Sequence, residues 1–339
     1  MKFADVQDLI RLPYFEFDKN ERIILKAEYH KYRIIDAHTH LGWSYLFSHA
    51  VDLSLQYERT NYFFPENNNA FDISHYTAVD FEVKNAKKAR FETVRGAFNA
   101  EGYSKTHTIP NILAEMKRMR IEQSIILAID FPLVSRNSEH ILQSIKLHKE
   151  GAKHLVPFIS LHPLETNKEQ KLKTFIAQGA KGIKLHPQIQ LFKPTHKGAY
   201  EIYELAKIYN LPILFHTGLS PISPKWQRKF VDFSHFKQVC IDFPRNLFIF
   251  GHAGVLDYKD AMYLSKKYRN VFLELSGQPP QIIKEMIKIN GHEKLLFGSD
   301  WPYYPSVLPL AKVLLATEGM KDDIRGSILS GNIERILKD

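Results

Sequence analysis

Two histidines one residue apart, His38 and His40, close the apolar run "RIIDAHTHLG" at residues 33–42. Alternate residues of a β-strand point to the same side, so both imidazoles project to one face and can share a single cation. Imidazole is the commonest metal ligand. With 16 histidines in 339 residues, one His-x-His also fits a hydrogen-bonded core pair, so its meaning depends on what the rest of the chain brings to it.

Other apolar runs end in the same manner. Lys184 and His186 close "KGIKLHP", His162 closes "FISLHP", His216 closes "LPILFHTG", His252 closes "NLFIFGHAG" and Asp300 closes "KLLFGSDWP". Histidine and aspartate bind divalent cations, and histidine moves protons near neutral pH. One shared site accounts for so many chemical residues at one register better than repeated core histidines do. Asp36 shares the face of His38 one layer deeper, where a carboxylate orients a ligand imidazole or caps a buried amide. The only cysteine, Cys240, rules out a cysteine-cluster zinc site and an intrachain disulfide. It lies in "FKQVCIDFP", which reads as the end of a helix rather than as a nucleophile's setting.

These residues need a frame that brings strand ends together. From about residue 112 helical and apolar segments alternate: "NILAEMKRM" precedes "QSIILAID", a helix at 137–150 precedes "LVPFISLHP", and helices at 167–179, 198–209, 226–241, 257–268 and 280–290 precede the remaining five runs. With "RIIDAHTH" this makes eight short, continuous apolar strands, as buried parallel strands should be. Eightfold alternation predicts a closed (β/α)8 TIM barrel of the α/β class, with an open doubly wound sheet as the alternative, and barrel chemistry sits at the C-terminal strand ends. The whole chain, 1–339, reads as a single barrel domain. Residues 43–110, rich in aromatics and asparagine ("TNYFFPENNNAFDISHY"), read as an insertion or lid after the first strand, with helical pieces near 78–98. Tyr62, Phe63, Phe64 and Tyr76 there would cover a substrate or pack a satellite core.

Hydrophobic residues make up 44% of the chain, enough for a large core. The opening "MKFADVQDLIRLPYFEFDKN" is charged, and no later stretch reaches the ~18 apolar residues of a membrane span. A soluble, cytoplasmic protein without membrane contact is expected. The net charge of +9 is spread in ones and twos among acidic residues, which argues for a solvated surface and against nucleic acid.

Asp-x-His-x-His on the first strand, a histidine closing the fifth, another closing the sixth and an aspartate closing the eighth resemble the amidohydrolase superfamily. The similarity is greatest to its amidohydrolase-2 group, which includes aminocarboxymuconate-semialdehyde decarboxylase and related hydrolases; "SGNIERIL" near the C-terminus is similar as well. It covers about 34–42 and 120–337. The resemblance implies one divalent metal per chain on His38, His40, His216 and Asp300, with Zn²⁺ favoured and Mn²⁺ an alternative. It makes Asp300 a proton acceptor as well as a ligand, His252 the acid/base, and Asp36 the support of a ligand. Metal-bound hydroxide would then attack an amide, ester or lactone carbonyl of a small carboxylated substrate. Non-oxidative decarboxylation of an aromatic or unsaturated acid is the alternative. Lys184, His186 and Trp301 would contact the substrate, Lys184 as a cation unless it is carboxylated and bridges two metals. Related barrels pair, so a homodimer is compatible with the resemblance.

Overall fold

Each of the eight apolar runs forms a parallel strand. In the computed structural model, which describes residues 1–42, 51–98, 102–132 and 134–338, these are β1 (Ile34–Thr39), β2 (Ile121–Leu127), β3 (Leu155–Ser160), β4 (Gly182–Leu185), β5 (Ile213–His216), β6 (Phe248–Gly251), β7 (Val271–Glu274) and β8 (Leu295–Leu296). They make one sheet in chain order. The barrel closes between β1 and the segment after β8: Ala37 N–H donates to Phe297 O (2.9 Å), Asp300 N–H to His38 O (2.7 Å) and His40 N–H to Trp301 O (2.7 Å). This is a TIM barrel, as expected.

Helices wrap the sheet: α1 (Ile109–Met119), α2 (Asn137–Leu147), α3 (Lys168–Ala177), α4 (Lys197–Ile208), α5 (Phe233–Asp242), α6 (Tyr258–Lys267), α7 (Pro280–Asn290) and α8 (Val307–Ala316). Their apolar faces and the outer faces of the strands make the main core. A second cluster holds Ile35, Ile125, Phe158, Leu214, Ile249, Phe272 and Leu296. Phe158, Leu214, Phe272 and Leu296 lie two residues before Ser160, His216, Glu274 and Gly298. They therefore share a strand face with them and form an apolar layer beneath the chemical residues.

Two expectations are corrected. The helix expected at 226–241 is split into a 3₁₀ segment, Lys225–Phe230, and α5, because Asp232 caps α5 by accepting from Ser234 N–H (2.9 Å). The eighth strand is only two residues long. Phe297 N–H turns away to Ile328 O (2.9 Å), and Asp300 adopts a left-handed backbone at φ 59°.

Within 43–110, residues 43–50 and 99–101 lie outside the described residues. Val51, Leu53, Tyr62, Phe64, Phe71 and Ile73 join the main core, and a helix spans Val83–Phe98. Among the described residues no helix is long and apolar enough to cross a membrane.

Candidate metal centre

The seam between β1 and β8 draws three chemical residues together. Asp300 Oδ1 lies 3.5 Å from His38 Nε2 and 3.6 Å from His40 Nε2, and one donor atom from each of the three falls within 4.8 Å of the others. All three side chains are buried. His216 stands outside this triad. Its ring lies 4.8 Å from that of His252, and its buried Nε2 has no hydrogen-bond partner.

Tautomers follow from what each ring touches. His40 Nδ1–H donates to Leu127 O (2.8 Å). His38 Nδ1 lies 2.6 Å from Glu274 Oε2, and since a carboxylate only accepts, this nitrogen carries the hydrogen. Both rings therefore turn an Nε2 lone pair to the seam. Burial lowers the pKa of His38 and of His216 well below the usual histidine value, and that of His40 to about 3. These are neutral imidazoles, the form that binds a metal. For Asp300, burial, aided by the charge of Glu274, pushes the pKa well up against the pull of Lys184. An acid raised by burial, neutral imidazoles facing it and an orphaned Nε2 on His216 together fit a divalent cation, whose charge would offset the cost of burying the carboxylate.

His252 closes β6 with its Nδ1 4.0 Å from Asp300 Oδ2. Both residues hold a left-handed backbone, each at φ 59°, a conformation that non-glycine residues rarely adopt and that gathers at functional sites. Lys184 Nζ, fully buried, lies 3.5 Å from His38 Nε2. Burial lowers its pKa to about 7, with Asp300 and Glu274 opposing. His186 stacks on His216, with ring centroids 4.0 Å apart. Its Nδ1 accepts from Ile189 N–H (3.2 Å), so Nε2 carries the ring hydrogen and is a donor.

Of the two readings of Asp36, the hydrogen bonds fit the capping of buried amides: its Oδ1 accepts from the backbone N–H of His38 (3.0 Å) and Ser299 (2.9 Å), tying β1 to the seam. Burial raises its pKa to about 7. Trp301 is fully buried in the main core, edge-on to His107 at 5.9 Å, rather than standing in an open pocket wall. His162, by contrast, is held by the protein on both ring nitrogens, with Nε2–H donating to Gln190 O (2.9 Å) and Nδ1 accepting from Leu164 N–H (3.1 Å).

The residue that sequence reasoning missed is Glu274, the carboxylate that holds His38. The available signal was a lone charge inside the otherwise apolar strand "NVFLELSG", since such a residue is almost never fully buried unless paired.

Residues 150–338 match the family model described as amidohydrolase. No curated protein matches the chain. Among solved structures, an uncharacterised TIM-barrel protein from Bordetella bronchiseptica is similar at 16% identity and TM-score 0.62, over 90% of this chain and 98% of that one. A probable 2-pyrone-4,6-dicarboxylic acid hydrolase from Acinetobacter baumannii is similar at 13% identity and TM-score 0.52, over 91% and 100%. A 5-carboxyvanillate decarboxylase from Novosphingobium aromaticivorans, complexed with manganese, is similar at 15% identity and TM-score 0.54, over 75% and 84%. At these identities the likeness is one of fold.

Proposed function

This chain belongs to the amidohydrolase family, and on that premise we propose that it is a metal-dependent hydrolase acting on an amide, ester or lactone carbonyl of a small carboxylated molecule. The observation that carries the reading is the position of Asp300. One carboxylate oxygen faces the Nε2 atoms of His38 and His40, and the other faces His252.

His38, His40, His216 and Asp300 would hold one divalent ion per chain, Zn²⁺ before Mn²⁺ given three neutral imidazoles and a carboxylate. When bound, the ion supplies Lewis-acid polarisation and makes a water acidic enough to react near neutral pH. Asp300 accepts the proton of the attacking water and passes it on, a task suited to a carboxyl whose pKa is raised by burial. His252, beside Asp300 Oδ2, is the second proton carrier. His186 offers its Nε2–H to a substrate oxygen, and Lys184 supplies the charge that seats a substrate carboxylate. Trp301 backs the site from the core.

Lys184 also favours a second reading. A cation against His38 Nε2 is where a decarboxylase would hold the departing carboxylate, and the manganese-bound decarboxylase of similar fold is compatible with that chemistry. We read residues 1–339 as one catalytic domain with 43–110 as its lid. The stacking of Phe63 on Tyr303 (5.1 Å), three residues past Asp300, supports this. Cytoplasmic location, homodimer formation and the absence of nucleic-acid binding remain part of the same proposal.

Elemental analysis of the purified chain tests the metal: one ion per chain, lost in His38→Ala, is expected. No metal after reconstitution would overturn the enzyme reading. A panel of lactones, amides and aromatic acids, followed for acid release and for CO₂, then separates hydrolysis from decarboxylation.

A further inference from the structure

As the second proton carrier of the proposed function, His252 can start either as a donor or as an acceptor of a proton. We propose that Glu274 is a positioning residue that makes the choice, fixing a hydrogen on Nδ1 of both His38 and His252 so that each ring, in its neutral form, keeps its lone pair on Nε2. This rests on the site proposed above.

Glu274 is fully buried at the end of β7. Its Oε2 accepts from His38 Nδ1–H (2.6 Å), from the backbone N–H of His252 (2.9 Å) and from the Ser276 hydroxyl (2.9 Å); its Oε1 accepts from Ser276 N–H (2.5 Å). Three donors converge on Oε2 and one on Oε1, and since a carboxylate only accepts, each of these contacts takes its hydrogen from the partner. The Ser276 hydroxyl has a single hydrogen, and it goes to Glu274. The same oxygen lies 2.8 Å from His252 Nδ1, so in that contact it must accept and Nδ1 must donate. Nδ1 of His252 therefore carries a hydrogen, and in the neutral ring Nε2 carries the lone pair.

One carboxylate thus acts on two rings by different routes, directly on His38 and through Ser276 on His252. At His38 the result is an Nε2 donor ready for a cation. At His252 it is a proton acceptor that becomes a donor only after a proton has been taken up. His186, whose Nδ1 accepts instead, is the neutral ring with an N–H for a substrate oxygen. The site thereby divides acceptor and donor between two histidines before substrate arrives.

The fold around Glu274 is built to this arrangement. A Cβ on Gly298 would come within 2.3 Å of Glu274 Oε1, so the neighbouring strand leaves that oxygen its space. Supports of this kind typically cost 10–100-fold in metal affinity or activity when removed.

The tautomer measurement at the centre of the test needs no substrate. In the full chain labelled with ¹⁵N-histidine, metal-free and Zn²⁺-loaded, ring ¹⁵N shifts are expected to give the Nδ1–H tautomer for both His38 and His252. Ser276→Ala, which leaves the Glu274–His38 bond in place, is expected to change the tautomer balance of His252 alone, keep zinc stoichiometry at the parent value and lower kcat about tenfold with KM little changed. Glu274→Gln is expected to weaken zinc binding 10–100-fold as well. An Nε2–H tautomer at His252 in the parent, or an unaltered His252 in Ser276→Ala, would overturn the proposal. If the shifts come out as expected and no panel substrate turns over, the positioning role stands and the hydrolase reading is what fails.

Discussion

Gly298→Ala is a one-carbon perturbation whose effect is readable from the geometry. An alanine Cβ at this position would lie 2.3 Å from Glu274 Oε1, 2.7 Å from its Cδ and 2.9 Å from His38 Cβ, where ordinary contact begins at 3.4 Å. The backbone itself is no obstacle, because Gly298 is outside the left-handed region. Something must therefore move by about 1 Å, and Glu274 cannot swing aside without giving up its four donors. Overpacking of this kind costs about 1–3 kcal/mol, which for a domain of this size is a fall in Tm of roughly 1–4 °C. The displaced groups are Glu274 and His38, so the larger loss is in chemistry: a 1 Å misplacement costs about 10²-fold in rate. The assays are a thermal melt of the parent and variant at one protein concentration, zinc titration, and turnover on the best panel substrate. A variant with parental Tm, zinc affinity and turnover would refute the reasoning, because it would mean that the carboxylate is not confined where the structure puts it.

Three other outcomes are expected. His252→Asn keeps its metal but loses about 10²-fold or more in turnover; normal turnover would remove His252 from the mechanism. Stripping the metal with a chelator lowers Tm and adding Zn²⁺ back restores it, since an ion at 100 times its Kd stabilises by about 2.7 kcal/mol; a Tm indifferent to chelator would argue against a metal at the seam. Burial, and then the charge of Glu115, raise the Glu66 pKa to about 7 from an ordinary 4.5. Such an acid binds more protons folded than unfolded between those values, so its stabilising contribution is complete below about pH 4.5 and is lost as pH rises through about 7. Glu66→Gln should therefore raise Tm at pH 8 relative to the parent, with the gain shrinking towards pH 4.5, and melts showing a pH-independent gap would contradict this.

The barrel was legible because its strands are short apolar runs and its helices recur between them, and because residues such as His38, His216, His252 and Asp300 interrupt those runs at one end. The Asp300 pairing with the first strand followed from barrel closure alone. Glu274 escaped because a charge inside an apolar run looks like an irregularity until its four donors are seen, and those come from β1, β6 and its own loop. Asp36 stayed open between two readings for a related reason. Spacing places it on the right face, but only the backbone of Ser299, far away in sequence, determines that its carboxylate ties the seam. Trp301 sits beside Asp300 in sequence, yet the sharp left-handed turn at Asp300 sends the next side chain into the core.

The seam where β1 meets the end of β8 also sets when the site can come into being. Asp300 follows His38 and His40 only after seven further strands have been translated, a delay of roughly 13–50 s at ~5–20 residues per second. Until then the two histidines have neither the carboxylate that completes the triad nor the last strand that shuts it from water. Completion of the triad and the final closure of the barrel are thus the same event.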